Sequence, residues 1–117
     1  MAVYFSTDRA QALLNAFDAK IKQTEPKGKI TTWQKIGNYY THKSTEWGGE
    51  AFFEPHVNAT QLIFNIIKPK DKTITVPVYG YYHGHLIETF LNHFDKDIAA
   101  ASASPLCTNG DHCSVAA

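Results

Sequence analysis

Net charge is the first thing this chain lacks: eleven lysine and arginine residues balance eleven acidic ones. A neutral chain has no global field for recruiting nucleic acid or an anionic membrane, so any electrostatic role has to be local. Arginine is almost absent as well. Long apolar runs are missing, and no stretch reaches the roughly 20 residues needed to span a bilayer. The start, MAVYFSTD, has neither the basic segment nor the apolar run of a signal or transit peptide. These absences lead to the expectation of a soluble, cytoplasmic protein with no membrane partner. Cysteine does not occur before position 107, and Cys107 and Cys113 are the only two. A core stapled by disulfides is thereby excluded, since such scaffolds spread their cysteines along the chain. No complete catalytic, nucleotide-binding or metal signature occurs either. No catalytic residue is assigned, no cofactor is expected, and the reading leans away from an enzyme.

What is present is a chain of 117 residues with 44% hydrophobic composition, enough for one domain with a real core. Ala10, Leu13, Leu14, Phe17 and Ile21 follow the spacing of an amphipathic helix. Asp8 with Gln11 reads as its capping pair, which places the helix over Asp8 to Lys22. Ile30 to Lys43 is rich in Thr, Trp, Ile and Tyr and reads as one long strand with a bulge at Gly37-Asn38. After a turn at Trp47-Gly48-Gly49, Ala51 to Val57 reads as a second strand broken near Pro55. Gln61 to Lys68 is a third, apolar on both faces as a central strand would be. Thr73 to Tyr82 reads as a fourth strand, placed at an edge or facing outward by Pro77. The period then changes from two to about 3.6 across His83-Gly84-His85, which marks a strand running into a helix. In that helix Leu86, Ile87, Phe90, Leu91, Phe94 and Ile98 form the apolar stripe, opposite His85, Thr89, Asn92 and Lys96.

The predicted fold is therefore a single α+β domain over residues 1–99: an N-terminal helix, a four-stranded, largely antiparallel sheet and a C-terminal helix, with both helices on one face. The small-residue linker AAASASP follows Ile98, and residues 100–117 run through it into a loosely held tail, LCTNGDHCSVAA, that adds little to stability.

Fifteen aromatic residues exceed what one modest core requires, and tyrosine and tryptophan suit contact surfaces because they join apolar area to a polar handle. The candidate binding residues are Tyr79, Tyr81, Tyr82, His83 and His85 at the strand-to-helix junction, with Trp33 and Tyr39 on the sheet. The alternative is a metal site, since imidazoles and thiolates bind zinc or copper: His83 and His85 joined by Cys107, Asp111, His112 and Cys113 if the tail folds back. The Asn109-Gly110 turn equally allows the two cysteines to meet as a disulfide. His56 beside Glu54, and His85 with Glu88, are the acid-base pairs on offer.

Nucleic acid is a weaker candidate partner. Lys20, Lys22, Lys27, Lys29, Lys35 and Lys43 lie among Trp33, Tyr39 and Tyr40, a pattern that single-stranded nucleic acid uses. Lysines at turns and edge strands also serve simply to prevent aggregation. The reading favoured is a small interaction or regulatory module that binds a protein or small ligand, or a second copy of itself as a homodimer, through an aromatic sheet face and the Tyr79 to His85 junction.

Overall fold

A computed structural model of the chain describes residues 1–113; the end of the tail, 114–117 with Val115, lies outside the described residues. The elements in order are β1 (Ala2–Ser6), α1 (Ala10–Lys22), β2 (Trp33–Ile36), β3 (Tyr39–His42), β4 (Phe52–Val57), β5 (Gln61–Ile67), α2 (Val76–Phe94) and β6 (Ala100–Ala103). Among the described residues the sheet has six strands rather than four, in the order β2-β3-β4-β5-β1-β6, and each neighbouring pair is antiparallel.

Both helices cover one face of this sheet, as the two apolar stripes require. Phe64 on β5 packs against Phe17 of α1 and against Phe90 of α2, and those two rings also touch each other. Val3, Phe5, Phe53, Leu62 and Ile66 complete the same core. The central-strand reading of Gln61 to Lys68 holds, because β5 lies between β4 and β1 with Leu62, Phe64 and Ile66 fully buried. No helix among the described residues is long and apolar enough to cross a membrane.

Several local expectations are corrected. The long strand Ile30 to Lys43 is a hairpin, β2 and β3, with Ile36 opposite Tyr39. Gly37, at φ +61°, occupies the first position of the two-residue turn, a place that demands glycine, so Gly37-Asn38 turns the chain rather than bulging it. The apolar start AVYFS, too short to show a period, is β1, an inner strand held by β5 on one side and β6 on the other. The Asp8 cap is not formed: Arg9 occupies the cap position without a side-chain bond, and Thr7 Oγ1 accepts from Arg9 N instead.

The largest correction concerns Thr73 to Tyr82, which is helical from Val76 onward. Thr75 is the N-cap, its side chain accepting from Val78 N, and Pro77 stands in the first turn. Proline is favourable there because the first helical N–H groups have no intrahelical partner to lose. Tyr82, Leu86, Phe90 and Phe94 then form the buried stripe. Leu91, assigned to that stripe, is 51% exposed, whereas Thr89, assigned to the polar face, is buried.

The segment read as linker and loose tail is held at several points. Ala100 to Ala103 pair with β1, Ser104 N donates to Ala2 O, and the Tyr79 hydroxyl donates to Ser104 O. Farther on, His112 bridges Ile67 in parallel register: its N–H donates to Ile66 O and its carbonyl accepts from Lys68 N.

Candidate functional site

Tyr81 and His85 stand one turn apart on α2 and therefore on one face of the helix. The loop between β3 and β4 brings Trp47 against them. Trp47 and Tyr81 stack with centroids 4.0 Å apart and planes 8° from parallel, and His85 stacks on Tyr81 at 4.0 Å and 26°. Two such close stacks on one ring occupy its two faces, so Tyr81 is sandwiched. His42 of β3 makes T-shaped contacts with Tyr81, His85 and Trp33, at 5.0, 5.4 and 5.4 Å.

The loop is built to hold this position. Trp47 N donates to Ser44 Oγ, Gly48 N to Ser44 O, and Gly49 N to Thr41 Oγ1. A Cβ on Gly48 would come within 2.6 Å of Ser44 O and 2.9 Å of His42 O, so only glycine allows the backbone to pass this close. From below, the Tyr82 hydroxyl donates to Trp47 O and lies 3.1 Å from Thr41 Oγ1. Ser44 N donates to His42 Nδ1, which leaves that nitrogen as acceptor and puts the proton of the neutral ring on Nε2, 3.4 Å from the Tyr81 hydroxyl. Ser44 Oγ lies 3.0 Å from the same Nδ1, but it also accepts the Trp47 N–H and so serves as a loop anchor.

The electrostatics of the cluster follow from burial and a negative rim. Burial, then the neighbouring His85, hold His42 below the ordinary histidine range. Burial raises the Tyr81 phenol, and the charges of Glu46 and Glu88 raise it further. Both glutamates are exposed, and Glu88 Oε1 lies 3.9 Å from His85 Nδ1. The result is an aromatic stack, half open to water, with carboxylates at its margin.

The seven residues singled out in the sequence are therefore divided. Tyr81 and His85 join the stack. Trp33 and Tyr82 are buried beneath it, Trp33 Nε1 donating to Thr89 Oγ1. Tyr79 lies flat on His83 and ties α2 to the tail. Tyr39 is 38% exposed and meets the edge of Phe52, away from the cluster. Trp47 and His42 were missed; a tryptophan directly before Gly48-Gly49 was the available signal.

His83 and His85 do not converge. His83 is 3% exposed, packed between Tyr79 and Phe53, while His85 stacks on Tyr81. Tyr79 O accepts from His83 Nδ1, so Nε2 is a bare, buried nitrogen without a hydrogen-bond partner among the described residues. Cys107 and Cys113 form a disulfide, Cα to Cα 6.1 Å, so the thiolates that the metal alternative requires are not present in this state. Asp111 anchors the loop between them. Its Oδ1 accepts from Asn65 Nδ2 and Ile66 N, and its Oδ2 from Thr108 N and Thr108 Oγ1, all within 2.7–3.1 Å. Burial pushes this carboxyl up, but the hydrogen bonds outweigh it and hold the group below the usual carboxylate range.

The lysine and aromatic platform does not assemble, because Trp33 and Tyr40 are buried and Lys35 is paired with Asp18 at 3.0 Å. A groove of about 470 Å³ does open between α1 and β2 to β4, lined by Gln11, Asp18, Lys35, Tyr40 and His56. Its one buried phenol, Tyr40, donates to Asp18, and burial and that bond raise it. Asp18 is thus occupied by both Tyr40 and Lys35.

No protein-family model matches this chain, and no curated protein or solved structure matches it.

Proposed function

We propose that the protein is a non-enzymatic binding module whose Trp47–Tyr81–His85 stack receives a cationic group, such as an arginine or an alkylammonium, from a protein or small ligand. The observation that carries this reading is the stack itself, with Glu46 and Glu88 beside it. With both faces of Tyr81 covered, the outer face of Trp47 is the one that attracts the cation through its quadrupole, by about 0.5–2 kcal/mol, and carboxylates at the rim add a screened attraction. His42 and Tyr82 beneath the rings keep them from rearranging, which lowers the ordering cost of binding.

Titration of the protein with tetramethylammonium and with a neutral isostere, followed by the two tryptophan indole N–H resonances, tests this. The Trp47 signal is expected to move with the cation only, the buried Trp33 signal to stay, and Glu46→Gln with Glu88→Gln to weaken the response several-fold. Equal response to the neutral isostere would remove the reading.

A second copy of the chain is favoured as a partner at another place, β6. This edge strand, AASA, contains no charge and no proline, the devices by which edges are normally protected from pairing. Light scattering of wild type and of Ala101→Lys reads this directly: a dimer that the lysine dissociates supports it, and a monomer at all concentrations ends it.

A further inference from the structure

The turn between β4 and β5 carries chemistry that the aromatic site does not use. Asn58, Ala59 and Thr60 are all exposed. They form the chain's one Asn-x-Thr triplet with a residue other than proline in the middle, the acceptor pattern for N-linked glycans. We propose that Asn58 is an N-glycosylation site and that the chain works in an oxidising, glycosylating compartment rather than in the cytoplasm.

The geometry of the turn presents the reacting atom. Asn58 Oδ1 accepts from Thr60 N at 3.0 Å and from Gln61 N at 2.8 Å. Two backbone donors at one end of the amide fix that end as the oxygen, because a nitrogen there would set donor against donor. Nδ2 is thereby the free end of the amide, and it makes no hydrogen bond among the described residues. The Thr60 hydroxyl, the second group of the acceptor pattern, lies 3.4 Å from the same Oδ1, so the two side chains that the pattern requires sit together.

The turn is also held in place and uncrowded. Asn58 N donates to Gln61 O, and Thr7 N donates to Thr60 O. Beside it opens a groove of about 470 Å³ lined by Ser6, Asp8, Thr60, Lys96 and Asp97, which offers space and polar groups to a first sugar that is bulky and hydrated.

A second observation, independent of the turn, points to the same compartment. Cys107 and Cys113 are the only cysteines, and they are joined. Cys107 is exposed. An exposed disulfide is open to reduction by the glutathione and thioredoxin of a cytosol, and it persists in the secretory lumen where N-glycans are added.

The transfer balances with a lipid-pyrophosphate-linked oligosaccharide as donor. Asn58 Nδ2 attacks C1 of the first sugar, a C–N bond forms, and the C–O bond to the pyrophosphate breaks with its electron pair leaving on oxygen. Nδ2 gives one proton to a base of the transferase, and nothing is oxidised or reduced.

The test is the intact mass of the full chain purified from the cells that make it, before and after digestion with a peptide N-glycosidase. The expected result is a mass higher than that of the chain by one glycan, which the enzyme removes to leave aspartate at position 58, and no thiol that alkylates before reduction. The same chain secreted from a eukaryotic host behind a removable leader should carry the glycan, keep it in Thr60→Ser, and lose it in Thr60→Ala and Asn58→Asp. Aspartate still offers oxygen to Thr60 N and Gln61 N, so this variant removes the amide nitrogen and keeps the turn. An unmodified Asn58 in the native protein, a secreted wild-type chain without glycan, or native thiols that alkylate without reduction overturns the proposal.

Discussion

Trp33 Nε1 donates to Thr89 Oγ1 at 3.0 Å inside the core, and Thr89 Oγ1 in turn donates to His85 O at 2.8 Å. The edge strand β2 is thereby coupled to the turn of α2 that carries the aromatic stack. Thr89→Val keeps the shape and removes the acceptor, leaving the indole N–H buried without a partner. The expected loss is about 1–3 kcal/mol in urea unfolding, while Thr89→Ser keeps most of the stability. A valine variant as stable as wild type would show that the bond contributes nothing net.

Acid should destabilise the fold beginning near neutrality. Burial holds His83 and His42 below their ordinary value of 6.5. Each then binds its proton more readily in the unfolded chain, so its contribution is complete above pH 6.5 and is lost as pH falls from there through the folded pKa. Asp111, held below 3.8, adds its own loss only at much lower pH. The urea midpoint is expected to be level between pH 7 and 8 and to fall between 6.5 and 5. His83→Phe should make that fall shallower, and a midpoint that rises on acidification would contradict the assignment.

Two glycines near the stack should respond in opposite ways. Gly48→Ala drives a Cβ into Ser44 O and His42 O, both backbone, so the loop must move and Trp47 must leave Tyr81. A loss of about 1–3 kcal/mol is expected, within the range of overpacking, together with a changed Trp47 environment. Gly84 lies inside α2 with nothing within 4 Å of an added Cβ. Gly84→Ala should therefore stabilise by about 0.5–1 kcal/mol. Thermal melts of the two variants side by side give the answer, and melting temperatures that move together would refute it.

Truncation after Ser102 should be costly. It cuts into β6 and removes the Ser104 bonds to Ala2 and Tyr79, the Asp111 hub and the disulfide. The expected loss is on the order of 1–3 kcal/mol, from the strand pairing and hydrogen bonds that the segment makes to β1, β5 and α2. Calorimetry showing a shift of only a degree or two would return this segment to the status of a loose tail.

Much of the scaffold was legible in order. The Leu13, Phe17 and Ile21 spacing located α1, the two-sided apolar run at Gln61 located the central strand, and two apolar helical stripes required a common sheet face. The candidate site was legible only in part. Tyr81 and His85 were named, but their companions Trp47 and His42 lie far away in sequence, and nothing in local spacing shows that a loop returns to a helix.

The sequence by itself determined the α+β class, the antiparallel sheet and the burial of both helices on one side, because those follow from hydrophobic period, which survives any choice of neighbours. Only the tertiary structure decided that Val76 to Tyr82 is helix. Valine and tyrosine there favour a strand by tenths of a kcal/mol per residue, whereas seating Tyr82 over Phe53 and Trp33 buries a large aromatic side chain, worth roughly 2 kcal/mol or more. Tertiary structure likewise decided which aromatics became core and which became surface. That choice depends on the areas the other elements cover, and those areas exist only once the chain has folded.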